Sequence, residues 1–151
     1  MTTQSSRKTI GRGVTRRFRR AFAGVVIAIA ALCVPLTASA VPGGDPQATG
    51  CANSASTIWS RTYLGAGTVE VRYSSACGTN WVRVSGATGR PSEAGIWSAA
   101  SGWQWSPSYY QSPSQYWTPM VYAPGSNCVV FRAKIVDVNS HLVDTGNLQL
   151  C

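Results

Sequence analysis

Apolar and polar positions alternate in short runs along most of the chain after residue 56. Val69, Val71 and Tyr73 alternate with Glu70 and Arg72, and that period of two predicts a strand with one buried face. The same reasoning predicts strands at residues 57–63, 68–73 and 81–85, and one or two more within residues 96–106. Residues 116–122 read as a further short strand. Residues 86–95, 107–113 and 123–126 are rich in Gly, Pro and Ser and read as loops or turns. Residues 128–138 are rich in β-branched side chains. A second extended run, residues 141–151, comes after Asn139-Ser140, which predicts a hairpin with a two-residue turn. No window carries a helical period. The pattern predicts one all-β domain, a sandwich or small barrel of about seven short antiparallel strands.

Side-chain chemistry fixes one register. Val69 opposite Val84 and Val71 opposite Val82 makes one face wholly apolar, whereas a one-residue slip mixes charged and apolar residues on both faces. The same register sets Glu70 against Arg83 as an ion pair and Arg72 against Trp81 as a cation–π pair.

Charge changes the picture only after the chain is divided. The formal net charge is +8, which by itself suggests a nucleic-acid or membrane partner. Seven of the basic residues, from Arg7 to Arg20, precede an apolar run from Ala21 to Leu36 that ends at Ala38-Ser39-Ala40. Basic segment, short apolar run and small-x-small site together predict a signal peptide over residues 1–40, cleaved after Ala40. The run is shorter than the ~20 apolar residues of a spanning helix. The Arg19-Arg20 pair leaves both general and twin-arginine export open. An extended lead-in over residues 41–50, rich in Pro and Gly, then precedes one domain over residues 51–151. Beyond Ala40 six basic residues face five acidic ones, so the mature protein is near neutral. It has little to gain from counterion release, which argues against nucleic-acid binding. The expected location is extracellular, with no membrane partner after cleavage and a monomeric state.

Four cysteines remain: Cys51, Cys77, Cys128 and Cys151. In an exported domain they point to two disulfides. Metal binding asks for close-set ligands and more histidine than the lone His141, so no metal and no cofactor is expected. Of three possible pairings the hairpin favours one. A two-residue turn at Asn139-Ser140 sets Cys128 opposite Cys151, with a bulge near Gly146 able to shift that register. Cys51 and Cys77 then flank a hairpin turning near Gly65-Ala66-Gly67.

Asp45-Pro46 with Thr49-Gly50-Cys51, the run from Val69 to Arg83 (VEVRYSSACGTNWVR) and the later Pro119-Met-Val-Tyr-Ala-Pro124 resemble an actinobacterial family of exported domains, the domain of unknown function numbered 2690. The resemblance covers most of residues 45–128. It implies actinobacterial origin, export and a Cys51–Cys77 disulfide. It implies no reaction and no catalytic residue.

Catalytic candidates are few. His141 near Asp137 and Asp144 is a possible base, but a hairpin tip is a poor site for one. Glu70 and Glu93 are a candidate glycosidase pair, but Glu70 is better explained as the partner of Arg83 and Glu93 as a solvated loop residue. Aromatic residues are the stronger signal. From Ala94 to Phe131 there is no charged residue, yet the segment holds Trp97, Trp103, Trp105, Tyr109, Tyr110, Tyr116, Trp117 and Tyr122. Flat uncharged rings among Ser and Gln suit neutral sugars. Such rings also supply core volume. Alternation puts Trp103 and Trp105 on one face, expected to be buried together, and Tyr116 and Trp117 on opposite faces. The leading expectation is a secreted, non-catalytic domain that binds a glycan or an extracellular protein through Tyr109, Tyr110, Tyr116 and Trp117. The Arg72–Trp81 face is a second candidate surface. A small secreted inhibitor is the alternative class, and a hydrolase using His141 the third.

Overall fold

A computed structural model describes residues 41–151; the expected leader and its cleavage site fall outside the described residues. One 3-10 turn, Cys51–Ser54, is followed by ten strands: β1 (Ala55–Tyr63), β2 (Gly67–Ser74), β3 (Thr79–Ser85), β4 (Ser92–Ser98), β5 (Gly102–Trp105), β6 (Gln115–Trp117), β7 (Val121–Tyr122), β8 (Val129–Val136), β9 (Leu142–Asp144) and β10 (Leu148–Leu150). All pairings between strands are antiparallel. The first sheet runs β1-β2-β3-β6, with β7 also on β3; the second runs β10-β8-β4-β5, with β9 also on β8. The inner faces meet. Val69, Val71, Val82 and Val84 of the first sheet pack against Ala94, Ile96, Phe131, Ala133 and Ile135 of the second, and all are at most 1% exposed. The fold is a sandwich. Burial alternates strictly along β8, as a strand with one wet face requires.

The valine register is the observed one: Val69 faces Val84, Val71 faces Val82 and Glu70 faces Arg83. Arg83 grips Glu70 at 2.6 and 2.8 Å. Arg72 and Trp81 are also cross-strand partners, but they form no cation–π pair. Arg72 turns toward β1 and donates to Thr57 Oγ1 and the Ala55 carbonyl. Trp81, 3% exposed, packs with Cys51, Cys77 and Met120 in a second small cluster.

Three boundaries differ from the sequence pattern. Residues 92–95 belong to β4 rather than a loop, because Ser92 and Ala94 face inward against β8 and are registered by it. Residues 116–122 form two strands, since Pro119 has no N–H for the ladder; β6 and β7 pair with separate stretches of β3. Residues 41–50 fold into turns rather than running extended. Gly43 N–H donates to the Met120 carbonyl and Met120 N–H to that of Gly44.

The last hairpin reaches the expected open-end register by a different route. Its tip is a three-residue loop, Val138-Asn139-Ser140, closed between Asp137 and His141, with Ser140 in the left-handed region at φ 65°. That displaces the β8–β9 pairing by one residue. An extra residue between β9 and β10, where Gly146 has φ 66°, restores it, so Leu150 faces Val129. Cys128 and Cys151 are bonded with Cα atoms 4.1 Å apart, and Cys51 and Cys77 with theirs 5.9 Å apart.

At one end of the sandwich a single side chain joins three segments. The Arg90 guanidinium donates to the carbonyls of Gly65 (2.6 Å), Val136 (2.8 Å) and Ala66 (2.8 Å), and also to that of Gly86.

The free edge of the first sheet is guarded. β1 carries a bulge between Thr57 and Trp59, and Arg61 is the cross-strand partner of inward-facing Val69. An inward charge and a bulge are two devices that stop an edge from recruiting another strand. Arg61 lies over the Tyr63 ring at 5.1 Å. Arg61→Val is expected to keep the fold and to self-associate with rising concentration in sedimentation velocity; a strictly monomeric variant would refute this role.

Candidate functional site

The β4–β5 hairpin builds the most evident candidate surface. Ala94 and Ile96 point into the core, so Gly95 and Trp97 must point outward. Register then sets Trp105 across from Gly95 and Trp103 across from Trp97. All four share the outer face of the second sheet. Trp103 and Trp105 are 38% and 41% exposed, their ring centres lie 5.1 Å apart and their planes differ by 20°. Gly95 has an ordinary backbone conformation, and the Trp105 ring covers it: a Cβ there would stand 2.6 Å from the ring. An aromatic side chain laid over a cross-strand glycine is a known way to hold both in place.

A cleft of about 270 Å³ opens at the turn end of this hairpin, between Trp97-Ser98-Ala99-Ala100 and Tyr122 to Pro124 with Asn127-Cys128. Tyr122 is 40% exposed. Its backbone is fixed on both sides, by Ser101 Oγ accepting from its N–H and Ser98 Oγ donating to its carbonyl. No charged side chain lines the cleft.

The residues expected to bind do not gather into one surface. Tyr110 is 83% exposed, at the tip of a loop. Tyr109 is half-buried and tilts against Tyr116 at 4.9 Å. Tyr116 is 3% exposed; burial pushes its phenol up to about 12. Trp117 faces the opposite side from Tyr116, as alternation requires, and its indole N–H donates to Asp45 at 2.9 Å. Trp81 is covered and Arg72 is held by β1. Trp103 and Trp105 share a face as expected, but it is the wet one. The informative signal was Gly95. A glycine between inward Ala94 and Ile96 leaves room on the outer face that only a neighbouring ring fills.

The polar candidates occupy separate places. Glu70 lies on the outer face of the first sheet with Arg83, and Glu93 on that of the second with Lys134 at 2.8 Å. The two carboxylates are therefore on opposite sides of the sandwich. Hydrogen bonds from Arg83 outweigh burial and hold Glu70 below the usual carboxylate range. Arg132, helped by the Gly146 amide, lowers Asp144 to about 2. The His141 side chain is 79% exposed, 3.6 Å from Asp137, whose Oδ1 accepts the N–H groups of Asn139 and His141. Among the described residues no three His, Cys, Asp or Glu side chains gather where a metal could be held. No helix among them is long and apolar enough to cross a membrane.

Asp45 clasps the first turns to the sheet. Its Oδ1 accepts from Gln47 and Ala48, its Oδ2 from Trp117. Burial alone raises its pKa, but the bonds from Ala48, Trp117 and Gln47 together hold it below the usual value. A depressed folded pKa stabilises above the unfolded value and is lost as pH falls through the folded one. Asp45→Asn should therefore lower the midpoint of thermal unfolding at pH 7 and shrink that difference between ~pH 4 and ~pH 2. An equal difference at both ends would exclude the clasp as its source.

The architecture defines the class: a disulfide-braced, two-sheet β-sandwich with a tryptophan stack on the outer face of its second sheet, bordered by the Arg132–Asp144 and Lys134–Glu93 ion pairs. Residues 39–130 match the family described as a protein of unknown function, DUF2690, and the chain belongs to it. No curated protein and no solved structure matches the chain.

Proposed function

We propose that this is an exported, non-catalytic binding module that takes a neutral glycan of the cell envelope or surroundings on the outer face of the β4–β5 hairpin, working as a monomer without cofactor. The observation that carries the reading is the exposed Trp103–Trp105 stack over Gly95, next to Trp97. Two partly wet indoles in contact present apolar ring area without charge. That suits the C–H faces of pyranose rings, and the planar side chains lose little freedom when they bind. The two disulfides are compatible with an oxidising, extracellular setting.

The test is affinity electrophoresis and calorimetry on soluble neutral polysaccharides, with pull-down on insoluble glucan, chitin and peptidoglycan. Trp103→Ala should weaken retention ~10-fold or more. Gly95→Ala should stay folded but lose some stability as the Trp105 ring is displaced, lose the coupled tryptophan signal in near-ultraviolet circular dichroism, and bind as weakly as Trp103→Ala. Retention on none of these glycans would refute the reading.

One observation favours a second reading, a small secreted antagonist of another protein. Tyr110 projects from a loop whose two sides are fixed, by paired bonds between Ser92 and Tyr109 (2.9 and 3.0 Å) and by Ser112 bonded to Gly89 and Arg90. A rigid loop tipped with tyrosine suits a protein pocket. Inhibition of secreted proteases that disappears in Tyr110→Ala but survives Trp103→Ala would select it.

A further inference from the structure

The aromatic stripe does not end openly. We propose that the cleft at the turn end of the β4–β5 hairpin receives the terminal sugar of a neutral glycan, so that the domain recognises chain ends rather than the interior of a strand. The inference rests on the glycan reading above and adds polarity to it.

Trp97 belongs to both parts. It lines the cleft and is the direct cross-strand partner of Trp103. Moving away from the turn, the order along the hairpin is cleft, then Trp97 with Trp103, then Gly95 with Trp105. Two residues of a strand advance ~7 Å, comparable with a sugar ring. The stacked Trp103 and Trp105 rings, 5.1 Å apart, form one platform, so a chain lying along the hairpin can set one sugar on that stack and deliver the next into the cleft beside Trp97.

Pro124, Asn127 and Cys128 line the cleft together with the hairpin turn, and Cys128 is held by its bond to Cys151. A volume of about 270 Å³ fits a single hexose with its water and is too small to enclose two. The polar equipment is sparse and uncharged. Asn127 donates its Nδ2 to the Pro124 carbonyl at 2.9 Å, which orients its Oδ1 as an acceptor. The exposed Tyr122 carries a hydroxyl on a backbone fixed at both its N–H and its carbonyl. An acceptor, a hydroxyl and an indole face match a neutral sugar end. With no cation in the lining, a uronic or phosphorylated end has no counter-charge.

The probes are linear cello-, laminari-, chito- and malto-oligosaccharides of four, six and eight units, titrated by calorimetry into wild type and four variants: Trp103→Ala, Tyr122→Phe, Asn127→Ala and Ala100→Trp, the last filling the cleft. Thermal unfolding checks that each variant is folded. Expected is binding to one series with an affinity per molecule independent of chain length. Trp103→Ala and Ala100→Trp should each lose ~10-fold or more, and Tyr122→Phe or Asn127→Ala about 5-fold. Affinity that rises with chain length, with the three cleft variants unchanged and Trp103→Ala impaired, would overturn end recognition and leave the glycan reading intact. No binding of any series by wild type would overturn both.

Discussion

Arg90→Ala should cost about 3 kcal/mol or more in urea unfolding, and Arg90→Lys nearly as much. Four backbone carbonyls converge on this guanidinium, from Gly65, Ala66, Gly86 and Val136. They belong to the β1–β2 turn, the segment after β3 and the end of β8. Removing the side chain leaves partly buried acceptors without donors, the expensive half of a hydrogen-bond deletion, with charged donors at the upper end of the range. Lysine keeps the charge but cannot address four carbonyls from a planar fork. A loss of that size in a domain this small lowers the thermal midpoint by ~10 °C or more. A lysine variant as stable as the parent would mean that charge, not fork geometry, holds these turns.

The second large effect concerns the disulfides. Chain entropy predicts that either bond stabilises by roughly 3 kcal/mol, since the sequence separations, 26 and 23, are close. The surroundings differ. Cys51 is 1% and Cys77 7% exposed, packed with Trp81 and Met120, whereas Cys151 is exposed and sits just beyond β10. Replacing Cys51 and Cys77 by alanine loses the cross-link and also opens a gap beneath Trp81. Replacing Cys128 and Cys151 loses mainly the cross-link. The first double variant should therefore unfold at clearly lower urea than the second. Equal midpoints would show that packing around the buried bond contributes nothing.

How far the sequence was legible depended on how local each determinant was. The Val69–Val84 register could be read because a one-residue slip puts Glu70 and Arg72 into the core. The Cys128–Cys151 pair was legible because two departures from the simple hairpin cancel, a tip loop one residue longer than expected and the bulge at Gly146 that the sequence offered. Strand number was undercounted because Pro119 splits one run and Gly146 interrupts another, residues 141–151; the start of β4 was missed because Ser92 and Ala94 take their register from β8, which lies far along the chain. The site was the least legible part. Alternation shows which residues share a face, but not which face is wet. Trp103 and Trp105 were assigned to the interior on the assumption that large rings fill it, whereas Val, Ala, Ile and Phe131 do so. Tyr116, offered as a binding residue, is instead enclosed, against Tyr109 and opposite Val84. Arg90 was invisible for the opposite reason: its partners are backbone atoms, which carry no sequence signature.

The lattice of alternating side chains in β4 and β5 separates two jobs onto two layers. Ala94 and Ile96 hold the sandwich shut, while Trp97, Trp103 and Trp105 lie outside it. Randomising those three outer positions together with Tyr122 would vary a surface on an unchanged frame, so the domain offers itself as a small, cystine-stiffened scaffold for selecting new binders.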